Sequence, residues 1–175
     1  MVTLSGCLGL SRSELTGLKW SDFDWNAQTL TVQRGIVNGH VGNTKTQARR
    51  KPIPLAPELI AVLQDWRKQT AFPAESDWVF ASPANDGEKP YWPDSVLRKI
   101  IQPAAKRAKL TKQVGWHTFR HSYSTLLRAN GTDVQVQSEL LRHSNIQTTL
   151  QIYTQAVSDQ KRAGCWAAFG SVSGK

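Results

Sequence analysis

Residues 115–131, GWHTFRHSYSTLLRANG, set the end and two faces of one helix, and that helix constrains the chain more than any other segment. Phe119, Tyr123 and Leu126 recur at i, i+4 and i+7, the spacing of an apolar stripe that turns toward a core. His117, Arg120, His121 and Ser124 fall at three- and four-residue intervals beside it and form a polar stripe. Asn130-Gly131 is a C-terminal cap pair. A helix that buries one stripe while setting an arginine and two histidines next to it needs a core to pack on and is a good place for a buried anion site.

The remainder of the chain is consistent with a domain that has such a core. Its 175 residues suffice for one sizeable core, and seven tryptophans argue against disorder. No apolar run approaches the roughly 18 residues of a membrane span. The opening residues MVTLSGCLGL lack the basic n-region of a secretory signal. Cys7 and Cys165 form no CxxC pair, which argues against a zinc site and for a reducing, cytoplasmic setting. Lys and Arg total 22 against 13 Asp and Glu, a net charge of +9, the electrostatic footprint of a polyanion binder. The charge is clustered. Arg98, Lys99, Lys106, Arg107, Lys109 and Lys112 occur with no acidic residue among them, and Lys45, Arg49, Arg50 and Lys51 form a second group.

Along the chain, LSGCLGL predicts a helix that breaks at Gly6 or Gly9, followed by a second helix running through Trp20 with Leu15 and Leu18 inward. A turn at Ser21-Asp22 leads to a strand on Leu30 and Val32. GIVNGHVGNTKTQARRKPIPL supplies two further strands of the same small sheet, with Asn38-Gly39 as a hairpin turn and Gly42-Asn43 as a second turn candidate. Pro52 and Pro54 put the last strand at an edge. A helix is predicted from Pro57 to about Gln69 with Leu59, Val62, Leu63 and Trp66 on one face. A loop-rich stretch with a short strand at Trp78 to Phe80 follows. A helix from near Asp94 meets Pro103, which kinks or ends it, and a basic piece continues to Leu110. After Gly131, Thr132 caps a helix to about Leu141, and Ser144 with Gln147 forms a capping-box pattern. The fold class is α+β, mainly α-helical with a small three-stranded antiparallel sheet near the N-terminus.

Five features recur in a set order: the acidic helix in GLSRSELTGLKWSDFDW, Lys45 in NTKTQARRKPIPL, HTFRH at 117–121, LLRHSNIQTTLQIYT from 140, and Tyr153 within that last segment. HxxR alone is weak. Joined to LxHS, a tyrosine ten residues after that histidine, and an upstream TKT hairpin, it is specific. From about Leu8 to Tyr153 the chain resembles the catalytic domain of the tyrosine recombinases, the phage integrase family. The resemblance implies site-specific, integrase-type DNA recombination by strand cleavage and rejoining, with double-stranded DNA as partner and no cofactor or metal. Tyr153 would attack a backbone phosphate to give a 3′-phosphotyrosyl enzyme and a free 5′-hydroxyl, His117 would act as general base, Arg120 and His143 as phosphate-stabilising donors, and Lys45 as general acid. The residue chemistry suits these tasks. An unperturbed phenol has a pKa of about 10 and needs a base or a positive field near neutrality, and the guanidinium fork matches phosphate oxygens. Arg49, Arg50, Lys51, Lys106, Arg107 and Lys109 would contact DNA, so that the protein associates with the nucleoid when bound.

Each residue taken singly has a plainer reading. Tyr153 continues a core stripe with Ile146 and Leu150, Lys45 is a solvated turn lysine, His143 caps a helix end, and Arg120 pairs with Glu14 or Glu139. Tyr123 and Tyr91 are the rival phenols, the first on the core stripe and the second in a loop. Two departures from the family pattern bear on activity. The family usually carries Gly-Leu-Arg where this chain has GLSRSEL, so Ser11 stands at the second phosphate clamp and Arg12 follows one residue later. One residue turns a helical side chain by about 100°. Loss of one preorganised oxyanion donor costs about 10² to 10³ in rate. The alternatives are Arg12 as a replacement clamp and a catalytically impaired DNA-binding module of the same fold. A basic helical scaffold without a nucleic-acid role is the third reading. The second departure is extent. Residues 1–175 read as a single catalytic-domain fragment, without the first helix and the N-terminal core-binding domain of the family. The tail 156–175 either docks on a neighbouring protomer, as such tails do in the family, or folds back on its own domain.

Overall fold

A computed structural model describes residues 1–43 and 51–142, together with 147, 149 and 150. Helix α1 (Val2–Leu8) stops at Gly9, which adopts φ 61. A Cβ at that position would lie 2.6 Å from Tyr123 Cδ1, so both the left-handed backbone and the close approach require glycine. Of the two predicted break points, Gly9 is the one used.

Helix α2 (Arg12–Thr16) begins with a capping box: the Ser11 hydroxyl accepts from the Glu14 N–H, and the Glu14 carboxylate accepts from the Ser11 N–H at 2.8 Å. It is shorter than the helix predicted through Trp20. Gly17 ends it where the chain crosses the Arg34 carbonyl, which a Cβ would approach to 2.7 Å. Leu15 and Leu18 are nonetheless fully buried. The turn expected at Ser21-Asp22 is a 3₁₀ turn, Trp20–Asp22, whose Asp22 carboxylate accepts from Lys19 N–H and from Arg34.

The sheet divides in two, where the sequence suggested one. Strands β1 (Phe23–Asp24), β2 (Thr29–Leu30) and β5 (Ile53–Pro54) form an antiparallel three-stranded sheet in the order β1-β2-β5. The hairpin of β3 (Arg34–Val37) and β4 (His40–Asn43) stands apart from it. Asn38 and Gly39, at φ 51 and φ 80, make the predicted turn. Gly42 and Asn43 make no turn: they pair with Gly35 and Arg34 inside the hairpin ladder. β5 sits at a sheet edge, where Pro54, which has no N–H to donate, is tolerated.

Helix α3 (Pro57–Gln69) has the predicted bounds. Its buried face is Leu59, Ile60 and Leu63, while Val62 is exposed. The Trp66 indole lies across this face and donates to the Val79 carbonyl at 2.7 Å. The strand expected at Trp78 to Phe80 reduces to a single bridge, Lys19 with Trp78. These elements enclose the core, in which Leu10, Leu15, Trp20, Leu30, Val32 and Val79 are fully buried.

Pro103 does not end its helix. α4 (Pro93–Val96) widens into a π-helical turn, Leu97–Ile101, and continues as α5 (Gln102–Arg107). The Gln102 N–H reaches back five residues to Leu97, and the wider turn accommodates the proline ring and its missing donor. The basic piece ends at Arg107, short of Leu110.

Helix α6 (Trp116–Ala129) ends at Asn130-Gly131 as expected, with Gly131 at φ 73. Its inward face keeps only part of the predicted stripe. Trp116 and Ser124 are buried, Phe119, Arg120 and Tyr123 are half-buried, and Leu126 is 59% exposed. α1 packs on α6 at the bare Gly9, and the polar residues Arg120 and Ser124 turn inward; backbone carbonyls receive Arg120, while the buried Ser124 hydroxyl has no hydrogen-bond partner among the described residues. Helix α7 (Val134–Leu140) is capped by Asp133, which accepts from Gln135 N–H at 2.7 Å, and not by Thr132. Ser144, the cap of the Ser144–Gln147 pattern, lies outside the described residues.

Candidate active site and nucleic-acid face

Arg120 ties three segments together. Its Nη1 donates to the Gly9 carbonyl at 2.5 Å and its Nη2 donates to the Leu141 carbonyl. The guanidinium is thereby held between the end of α1 and the residue two positions before His143. Both acceptors are available for local reasons: Gly9 terminates α1 and Leu141 follows α7, so their carbonyls are free of intrahelical partners. Arg120 Nη1 also lies 3.8 Å from Glu14 Oε2. Of the two carboxylates considered from sequence, Glu14 is the neighbour of Arg120, while Glu139 pairs at the surface with Lys51 at 3.4 Å.

Glu14 is buried. Its Oε2 accepts from Ser11 N–H at 2.8 Å and from Arg142 Nη2 at 3.0 Å. Burial alone pushes the Glu14 carboxyl up. The Arg142 charge and the Ser11 and Arg142 hydrogen bonds outweigh burial and hold it below its ordinary 4.5. Arg142 is itself buried, and its backbone takes φ 54 two residues after the end of α7. Sequence reasoning missed Arg142 altogether. The one signal available was Glu14, a carboxylate on the inward side of a helix beside Leu15, which demands a cation.

His117 sits in the first turn of α6, exposed, one turn before Arg120. His121 is exposed as well. Ser11 is the N-cap of α2 and presents only a hydroxyl, which contacts Ser13 at 3.2 Å. Arg12 does not converge on Arg120: its Nη1 pairs with both Asp94 oxygens, at 2.8 and 3.1 Å, across a half-exposed bridge to α4. The role of Arg12 as a replacement clamp is therefore not supported by its placement. Lys106, Arg107 and Lys109 are exposed on and after α5, as are Arg98, Lys99 and Lys112. Lys51 is exposed too. Lys45, Arg49, Arg50, His143 and Tyr153 lie outside the described residues, as does the tail 156–175. Burial raises the pKa of Tyr123, the rival phenol, and so disfavours its ionisation, with the Arg142 charge opposing that shift. Among the described residues no three His, Cys, Asp or Glu side chains gather in a metal-binding group, and no helix is long and apolar enough to cross a membrane.

Residues 2–160 match the phage integrase family. The chain belongs to that family. It is 32% identical to a tyrosine recombinase XerC-like protein of Caldanaerobacter subterraneus, across 87% of this chain and 44% of the relative. It is 31% identical to a tyrosine recombinase of Thermosipho africanus, across 88% of this chain and 47% of the relative. The chain thus spans less than half the length of these curated relatives. Among solved structures, the Tn1549 transposon integrase in complex with circular intermediate DNA superimposes with a TM-score of 0.73 at 22% identity, covering 93% of this chain and 58% of that one. The XerA recombinase gives 0.66 at 23% identity, covering 92% and 55%. These likenesses establish the tyrosine-recombinase catalytic-domain fold, mainly helical with small antiparallel sheets.

Proposed function

We propose that this phage integrase domain performs site-specific recombination by cutting and rejoining double-stranded DNA through Tyr153. The observation that carries the reading is the seating of Arg120. Its fork is anchored on Gly9 and Leu141 at the edge of the core, one turn from an exposed His117. A fixed cation with a proton acceptor beside it is what attack on a phosphodiester requires. In the proposed step the Tyr153 phenol oxygen bonds to phosphorus, its proton passes to His117, and the bond from phosphorus to the 5′-oxygen breaks. That oxygen takes a proton from Lys45, while Arg120 and His143 balance charge on the phosphoryl oxygens. Ligation is the reverse. Arg49, Arg50, Lys51, Lys106, Arg107 and Lys109 contact the backbone phosphates. The tail 156–175 gives self-association on DNA.

Incubation with a nicked suicide duplex of the cognate site gives a covalent protein–DNA adduct, and Tyr153→Phe abolishes it. No adduct from the unchanged protein at high concentration overturns the enzymatic reading. The direction taken by Arg12, away from Arg120 and onto Asp94, supports a second reading, a catalytically impaired DNA-binding module. On that reading Ser11→Arg raises adduct formation by about 10² or more with little change in affinity, and no gain from Ser11→Arg counts against it.

A further inference from the structure

One oxygen, Glu14 Oε2, has two arginines at different distances: Arg142 Nη2 at 3.0 Å and Arg120 Nη1 at 3.8 Å. Both arginines pair with Glu14, Arg142 through a hydrogen-bonded contact and Arg120 through a longer one outside hydrogen-bond range. The side chain of Arg142 is 1% exposed. Its Nη1 donates to the Leu140 carbonyl at 3.3 Å, and its Nε is buried with no hydrogen-bond partner among the described residues. Its backbone occupies the left-handed region, at φ 54, where glycine is favoured. A long cationic residue held at such a position, with part of its donor set unused, indicates a requirement for the charge itself.

We propose that Arg142 is the positioning residue that neutralises Glu14, so that Arg120 keeps its charge for a DNA phosphate; it is the second guanidinium of a site to which Ser11 contributes none. The inference rests on the DNA-cleaving reading above, though its test reads DNA binding and does not require cleavage. With Arg142 present, the single negative charge of Glu14 is taken from behind, and Arg120 presents a net positive field outward. Without it, the cation left beside the buried carboxylate among the described residues is Arg120. The Arg120–Glu14 contact, 3.8 Å long while the carboxylate is shared, would then tighten and spend the Arg120 charge internally. Because the side chain is sealed from solvent, Arg142 acts through Glu14 and Arg120 and does not touch the phosphate.

The test is the salt dependence of binding to the cognate duplex, measured on the full chain carrying Tyr153→Phe, with each variant first shown to be folded by circular dichroism. Arg142→Met lowers affinity about tenfold or more, the scale of one charge-assisted hydrogen bond. It also flattens the slope of log affinity against log salt by about 0.9, the value for one phosphate. Arg142→Lys retains most of the parent slope. Glu14→Gln combined with Arg142→Met restores both slope and affinity, since no carboxylate remains to capture Arg120; a merely structural role would not give that recovery. A folded Arg142→Met with the parent slope and affinity overturns the inference alone, as does a double variant no better than the single one. If the Tyr153→Phe parent shows no salt-dependent DNA binding, the DNA reading fails and this inference falls with it.

Discussion

Glu14→Gln isolates the charge in the buried Glu14–Arg142 pair. Glutamine keeps the shape of the side chain, and its amide oxygen still accepts the Ser11 N–H that completes the capping box. The substitution therefore leaves helix α2 capped and removes only the negative charge facing Arg142. The side chains of Glu14 and Arg142 are 7% and 1% exposed, so water cannot replace the lost partner. Breaking one side of a buried ion pair costs about 3–5 kcal/mol, because the remaining charge is stranded. That is a large share of the roughly 5–15 kcal/mol that holds a domain folded. Urea unfolding at pH 7, followed by circular dichroism, should show the midpoint falling with the slope unchanged. The pair also carries a pH signature. Its carboxyl is held below its ordinary 4.5 in the folded chain. The stability it supplies is thus complete above that value and is lost as pH falls through the folded value. Below about pH 4.5 the parent should lose stability more steeply than Glu14→Gln. A loss under about 1 kcal/mol at pH 7, the scale of a solvent-exposed pair, or parallel acid limbs for the two proteins, would refute the argument.

Two further substitutions test the architecture around the site. Gly9→Ala combines a left-handed backbone with a 2.6 Å approach to the Tyr123 ring. It should destabilise the fold by about 2–4 kcal/mol in thermal or urea unfolding, and it should weaken DNA binding because the Arg120 anchor shifts. Arg12→Ala removes a half-exposed bridge to Asp94; stability should change by no more than about 1 kcal/mol, and adduct formation should stay within a few-fold of the parent.

Local chemistry made several elements legible in advance. The bounds of α3 follow from Pro57 and the apolar periodicity after it. The β3–β4 turn follows from Asn38-Gly39, whose backbone must enter the left-handed region, and the end of α6 follows from Asn130-Gly131. The family was legible as well, since it rests on the order of HTFRH, LLRHS and Tyr153 along the chain. What sequence could not supply was the rotation of α6 about its axis. Phe119, Tyr123 and Leu126 lie on one stripe by periodicity, yet Leu126 faces solvent while Arg120 and Ser124 turn inward. The seating of Arg120 depends on Gly9 of a distant helix, which brings α1 close and supplies a carbonyl.

Periodicity fixes which residues share a face, and turn chemistry fixes where elements stop, because both depend on neighbours within a few positions. Those are the properties this sequence determined by itself, together with its cationic character and its family. The placement of Arg12 on Asp94, the pairing of Glu14 with Arg142, and the seating of Arg120 between Gly9 and Leu141 join residues from 21 to 128 positions apart. Only the packed chain decides among such partners, since a buried charge takes whichever opposite charge or carbonyl the fold brings within reach.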